Sequence, residues 1–230
     1  MFKKLSLHFL KGILAGIAIG FGGFLFVIMT YWIKNDLGKA LGSILFSIGL
    51  FTVCFCYLSL YTGKIGVVFE GKQEKEFYFA LPIMLVGNFI GACFIGYLAY
   101  ILFKDTDVLA RAVAVAESRI VYSDFSTYLN TFIRAIFCGL CVYLAVKSFA
   151  MNRMKFVGIF LLVFFVFLFV YAGFEHCIAN MFYFSFGNRW TWDSFFNILI
   201  VILGNSLGTI PGVFLIKLFK GELNKKHEEN

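Results

Sequence analysis

Long stretches of this chain carry no charged side chain. Gly12 to Ile33 lies between Lys11 and Lys34, and Ala40 to Gly63 between Lys39 and Lys64. A third run spans Phe77 to Phe103, and a fourth, Phe125 to Val146, is interrupted only by Arg134. The fifth starts at Phe156 and continues past a Glu175-His176 pair to about Phe186; the sixth is Ser194 to Ile216. About 20 apolar residues let a helix cross the hydrocarbon core of a bilayer. Barrel strands would instead give alternating segments of about 10 residues. The runs predict an all-α membrane protein with six transmembrane helices, lipid being its first partner. Composition agrees. Of 230 residues, 61% are hydrophobic and 14% charged, against about 45–50% and about 25% in soluble domains. A soluble enzyme or a DNA-binding domain is excluded.

The net charge of +7 has a topological explanation. With a cytoplasmic N-terminus, the inner segments hold 13 Lys and Arg, among them Lys3, Lys4, Lys64, Lys147 and Arg153, and the outer segments hold 7. That bias places both termini in the cytoplasm. The basic residues are spread among loops, so no nucleic-acid partner is needed. No short apolar run with a small-residue cleavage site marks a signal peptide. The expectation is one channel-like domain over 1–230, with a cytoplasmic tail at 219–230.

The third and sixth runs share a pattern. One reads LVGNFIGACFIG, with Gly87, Asn88 and Gly91; the other reads ILGNSLGTIPG, with Gly204, Asn205 and Gly208. Asn88 follows Thr62 by 26 residues, and Asn205 follows His176 by 29. Three helices repeated after an odd number of crossings have opposite orientations, which predicts inverted pseudo-repeats over about 9–104 and 125–218. The glycines also read as helix-packing surface. Each asparagine needs hydrogen-bond partners in hydrocarbon, either in a pore or on neighbouring backbone.

Two polar elements stand out. LYTGK, Leu60 to Lys64, reads by itself as a helix end with Lys64 at the interface. FEHCIAN, Phe174 to Asn180, is sharper, because it follows the most apolar stretch of the chain. A charge at the centre of a membrane helix costs about 2.5–3.5 kcal/mol on the mildest scale, so Glu175, His176 and Asn180 read as functional. His176 is placed in a lumen, and Glu175 on backbone donors of a broken helix. Other chemistries fail on counting. Cys138 and Cys141 form a lone C-x-x-C without the further ligands a metal site needs. His8 and His227 lie at the extremities, so no second intramembrane histidine serves a haem, and no cofactor is expected.

The run GFEHCIANMF, with LYTGK, VGNFIGA, FIRAIFCGLCVYLAV and ILGNSLG, resembles the formate/nitrite transporter family across about residues 9 to 218. The resemblance implies a homopentamer of six-helix protomers with an aquaporin-like fold. Each protomer has its own pore, and helices two and five are broken. It makes His176 the lumenal histidine, Thr62 its partner in the break of helix two, and Asn205 the polar residue of helix six. Glu175 and Asn180 are the motif residues beside the histidine. Phe46, Leu50 and Phe169 fall at cytoplasmic-side and central constrictions, and Leu60 at the extracellular-side one. Two positions depart from the family pattern. Gly139 stands where helix four usually has Asn. The usual lysine before helix four is matched by Ser123 on gapless counting, or by Arg119 with a four-residue insertion.

The implied substrates, formate and nitrite or alternatively hydrosulfide, are small monovalent anions of weak acids. A bare anion loses its hydration in an apolar constriction. It crosses either on oriented donors such as Thr62, Asn205 and half-helix N-termini, or with a proton as the neutral acid, His176 acting as relay or as hydrogen-bond donor. A membrane anchor subunit of an enzyme complex would need a cofactor ligand set that the sequence does not supply. A pore for neutral solutes would not need the Glu175-His176 pair.

Overall fold

Helices follow the apolar runs, and their ends are set by local chemistry. The computed structural model describes residues 2–120, 125–151 and 154–228, with side chains described from 3 to 219 within those bounds. Ser123 and Arg153 therefore lie outside the described residues, as do positions 229–230 of the expected tail. Helix α1 (Phe2–Trp32) is followed by α2 (Asp36–Phe55), whose N-terminus is capped by Asn35 accepting from the Gly38 N–H at 3.2 Å. Short helices α3 (Tyr61–Lys64) and α4 (Val67–Glu70) precede α5 (Lys75–Phe103). Then come α6 (Asp107–Glu117), α7 (Phe125–Met151), α8 (Lys155–Tyr171), α9 (Cys177–Phe186) and α10 (Trp192–Glu228). No strand occurs among the described residues.

Five helices, α1, α2, α5, α7 and α10, are long and apolar enough to cross a membrane; α8 and α9 are shorter apolar helices. Large apolar side chains stay exposed along them, Phe94, Ile101, Phe160 and Leu203 among them. Such a surface is stable facing lipid and not water. The main contacts repeat one scheme: α1 packs on α5 and on α2, and α7 packs on α10 and on α8.

Small residues make the α1–α5 and α7–α10 pairs close. A Cβ on Gly91 would collide with the Ile13 carbonyl, and one on Gly208 with the Ile136 carbonyl. The glycines are thus helix-packing surface in both halves. Gly139 belongs to the same class, since a Cβ there would strike the Asn205 carbonyl. Its lost side chain is a consequence of how closely α7 and α10 approach.

The two apolar runs that stop short do so through the same turn. At the end of α2 the Leu58 N–H bonds to the Val53 carbonyl at 2.9 Å, with Tyr57 at φ 53°. At the end of α8 the Phe174 N–H bonds to the Phe169 carbonyl at 2.9 Å, with Gly173 at φ 73°. Both are Schellman turns, which redirect the chain while satisfying helix-end carbonyls. The chain then runs extended to Leu60 (φ −89°, ψ 123°) and His176 (φ −113°, ψ 116°), which open α3 and α9.

The sequence reading contained no helix between the third and fourth runs. There, α6 buries Val108, Ala112, Val115 and Ala116 against α9 and α1. Near the other face of the molecule, α4 is tied to α7: Glu70 pairs with Lys147 at 2.5 Å and accepts from the Tyr143 hydroxyl at 3.2 Å.

Candidate functional site

Each helix restart is held by an asparagine from a neighbouring long helix. Asn88 on α5 accepts from the Tyr61 N–H at 2.8 Å and donates to the carbonyls of Ser59 (2.9 Å) and Gly12 (2.8 Å). Asn205 on α10 accepts from the Cys177 N–H at 3.0 Å and donates to the carbonyls of Glu175 and Ala135, both at 2.8 Å. The amide oxygen caps the first free N–H of the restart, and the amide nitrogen pins the break and the facing helix. Both asparagines are fully buried. Of the two expected uses of these amides, bonding to backbone is the one the geometry displays. The clamps also change which residues of the two breaks correspond. Tyr61 and Cys177, 27 and 28 residues before their asparagines, are the equivalent positions; Thr62 and His176 are not.

Thr62 and His176 meet across the molecule. Thr62 Oγ1 lies 2.9 Å from His176 Nε2, and both residues are buried. His176 is the N-cap of α9, and its Nδ1 accepts from the Ala179 N–H at 3.2 Å. An Nδ1 that accepts a backbone proton carries none of its own. The ring is therefore neutral with its proton on Nε2, donated to Thr62 Oγ1. Above the imidazole sits Phe169, ring centroids 5.9 Å apart, and Phe46 meets Phe169 edge-on at 5.8 Å. Phe46, Leu50, Leu60 and Phe169 are all buried, in one apolar cluster.

One sidedness is corrected. Leu60 follows Ser59, whose N–H bonds the Lys11 carbonyl near the start of α1, whereas a Cβ on Gly22, midway along α1, would meet the Phe46 carbonyl. Leu60 thus lies toward the N-terminal end of α1, and Phe46 with Phe169 toward its far end. With a cytoplasmic N-terminus, Leu60 belongs to the inner side and the phenylalanine pair to the outer. The resemblance had placed them the other way round, although a cytoplasmic N-terminus with Lys64 on the inner side already makes the second run descend inward through Leu60.

Beside His176 lies a buried polar network. Arg119 Nη1 pairs with Glu175 Oε1 at 3.1 Å and also donates to the Phe174 carbonyl at 3.3 Å. Glu175 Oε2 accepts from Asn180 Nδ2 at 2.6 Å, and Asn180 also donates to Asn197 Oδ1 at 3.0 Å. Asn197 closes the ring by donating to the Arg119 carbonyl at 2.7 Å, and the guanidinium lies 5.3 Å from the centre of the Tyr183 ring. Glu175 was expected on backbone donors; its carboxylate is bonded instead to a guanidinium and an amide. Of the two candidates for the family's lysine position before helix four, Ser123 lies outside the described residues and Arg119 is part of this network. Asn197 was not singled out from sequence, though an amide eight residues before Asn205 in an apolar run is the same kind of signal. No group of three or more His, Cys, Asp or Glu that could hold a metal occurs among the described residues.

Comparison with known proteins decides the family. A family profile described as Formate/nitrite transporter matches residues 2–219. The chain belongs to the formate/nitrite transporter family. It is 31% identical over 226 residues to an uncharacterized transporter of Bacillus subtilis (strain 168), covering 87% of this chain and 82% of that protein. It is 31% identical over 230 residues to a probable formate transporter of Methanothermobacter thermautotrophicus, covering 85% and 81%. Its fold matches a solved pentameric formate channel with formate bound, at TM-score 0.75 and 23% identity, over 97% of this chain and 98% of that one. As a member of the formate/nitrite transporter family it is a multi-pass membrane channel or transporter.

Proposed function

We propose that the chain is a pore for small monovalent anions of weak acids, formate and nitrite foremost, and that these cross with a proton past His176. The observation that carries this reading is the Thr62–His176 pair, at 2.9 Å, buried where two helix restarts meet. The neutral imidazole offers its Nε2–H as a fixed donor, and the Thr62 hydroxyl adds a second polar group. Between apolar Phe46, Leu50, Leu60 and Phe169, these groups replace part of the hydration that an oxyanion loses. Low polarity raises the affinity of a carboxylate for its proton. The anion takes up a proton from the vestibule, crosses as the neutral acid on the Nε2–H, and releases the proton beyond. His176 is a hydrogen-bond donor in this account and not a shuttle, because shuttling needs Nδ1 to leave the Ala179 N–H. The Arg119 cation beside the pair favours arrival of the anion.

The same reading extends to architecture. There are six crossings, the second made by α2 with α3 and the fifth by α8 with α9, each interrupted. The halves 9–104 and 125–218 are inverted repeats, supported by the matching Schellman turns and asparagine clamps. Both termini are cytoplasmic, and five copies assemble as in the pentameric channel of similar fold.

The test is uptake of labelled formate into proteoliposomes, with and without an inward proton gradient, competed in turn by nitrite and bisulfide. Gradient-stimulated formate uptake, competed by nitrite, is the expected result. A well-folded oligomer that passes neither formate nor nitrite overturns the proposal.

A further inference from the structure

On the side of the molecule away from the N-terminus, two cavities lie in series. The outer, about 660 Å³, opens between the α1–α2 turn and α6; the inner, about 240 Å³, ends at Val170 and Glu175, next in sequence to Phe169 and His176. Lys39 and Arg111 line both and so stand at the neck between them. Charge becomes more one-sided on the way in. The outer cavity sets Lys34, Lys39 and Arg111 against Asp36 and Asp107. In the inner cavity Lys39, Arg111, Arg119 and Arg134 face only Glu175, whose two oxygens are already bonded to Arg119 and Asn180.

The neck cations are oriented. The Thr30 hydroxyl donates to the carbonyls of Phe26 and Val27, at 2.9 and 3.1 Å, which leaves its oxygen to accept from Arg111 Nε at 2.9 Å. That bond fixes the plane of the guanidinium while its terminal nitrogens remain for a ligand. Lys39 rests its ammonium 4.9 Å from the centre of the Tyr171 ring, a contact that holds it without neutralising it. Neither residue forms a salt bridge among the described residues. A planar guanidinium beside an ammonium suits a small carboxylate or other oxyanion better than halide, since the fork matches two oxygens.

We infer that Lys39 and Arg111 form a holding site for a small monovalent oxyanion at the neck of this vestibule, one step before the anion reaches Arg119 and His176. The inference rests on the proposed anion pore. Burial shifts the Arg111 guanidinium down from its ordinary range, a pressure that a bound anion relieves.

The test is initial-rate uptake of labelled formate, added to the face opposite the N-terminus of oriented proteoliposomes, for wild type, Lys39→Gln, Arg111→Gln and the rim control Lys34→Gln. The neck variants are expected to raise KM about tenfold at unchanged maximal rate, the lower end of the range over which focused charge concentrates an ion. Lys34→Gln is expected to stay within about twofold, and impermeant salt to close the gap by screening. Unchanged KM in folded Lys39→Gln and Arg111→Gln, or an equal rise in Lys34→Gln, overturns the site. A second readout is line broadening of ¹³C-formate by the detergent-solubilised protein, expected to be lost in the double neck variant. If wild type shows no flux but this broadening is present and lost in the double variant, the pore reading fails and the neck site stands. If broadening is absent from wild type, or survives in the double variant, the neck site is overturned whatever the flux.

Discussion

Tyr57 and Gly173 occupy equivalent turns with opposite fitness for them. A left-handed residue with a Cβ costs about 1–2 kcal/mol, which glycine escapes. Tyr57 is 82% exposed and contributes little packing in the single chain to offset that cost. Tyr57→Gly should therefore raise stability by about 1 kcal/mol. Gly173→Ala should lower it by a similar amount, about 1 kcal/mol, through the backbone alone, because an added Cβ meets nothing within 4 Å. Unfolding midpoints in one detergent check both. Arg119 is the more severe case. Arg119→Gln leaves the Glu175 carboxylate buried without its cation, which costs about 3–5 kcal/mol, while Arg119→Lys keeps the charge and should lose much less. Survival of the oligomer on heating separates them, and equal survival would mean that the pair does not hold the break. The Glu175-His176 pair was legible because ionisable groups are rare in so apolar a run. Arg119 was not, because an insertion in a loop has no spacing rule that fixes it.

At the scale of elements, the two restarts depend on side chains far away in sequence. Asn88→Leu and Asn205→Leu should each unseat one restart, freeing the Tyr61 or the Cys177 N–H along with two carbonyl partners. A buried donor without a partner costs about 1–3 kcal/mol, so either variant should show a lower unfolding midpoint. Hydrogen exchange at the restart should rise with it. Gly139→Asn makes a contrary test. The family resemblance favours Asn there, but the facing Asn205 carbonyl leaves no room for it. Overpacking of about 1–3 kcal/mol and a lowered midpoint are expected; an unchanged midpoint would show that α7 and α10 have slack. The apolar runs located the long helices well, since lipid demands them. The break after α2 was expected only through the family resemblance, because Tyr57 and Leu58 continue an apolar run while the backbone leaves the helix. The residues of α6 had the right period, yet a short helix lying over the others leaves no long run to find.

For the whole molecule, charge, cavities and pairing follow one sequence from the surface inward. On the proposed path, the neck cations are followed by Arg119 and Glu175 and then by the His176–Thr62 pair, with Phe169 against the imidazole and Phe46 against Phe169. A membrane protein was legible from composition, and its family from GFEHCIANMF with the Gly-Asn motifs, whereas the order of groups along the proposed path needed the fold. The central claim is that a neutral His176 donates from Nε2 to the crossing acid. It is tested most directly by formate flux through His176→Asn and His176→Phe proteoliposomes from pH 5 to 8. Asparagine keeps an N-cap and a donor but cannot titrate. His176→Asn should conduct with the wild-type pH profile, and His176→Phe should lose up to about tenfold, since a hydrogen bond between neutral groups is worth about 0.5–1.5 kcal/mol. Wild-type flux through His176→Phe across that range, or loss of proton coupling in a conducting His176→Asn, would contradict it.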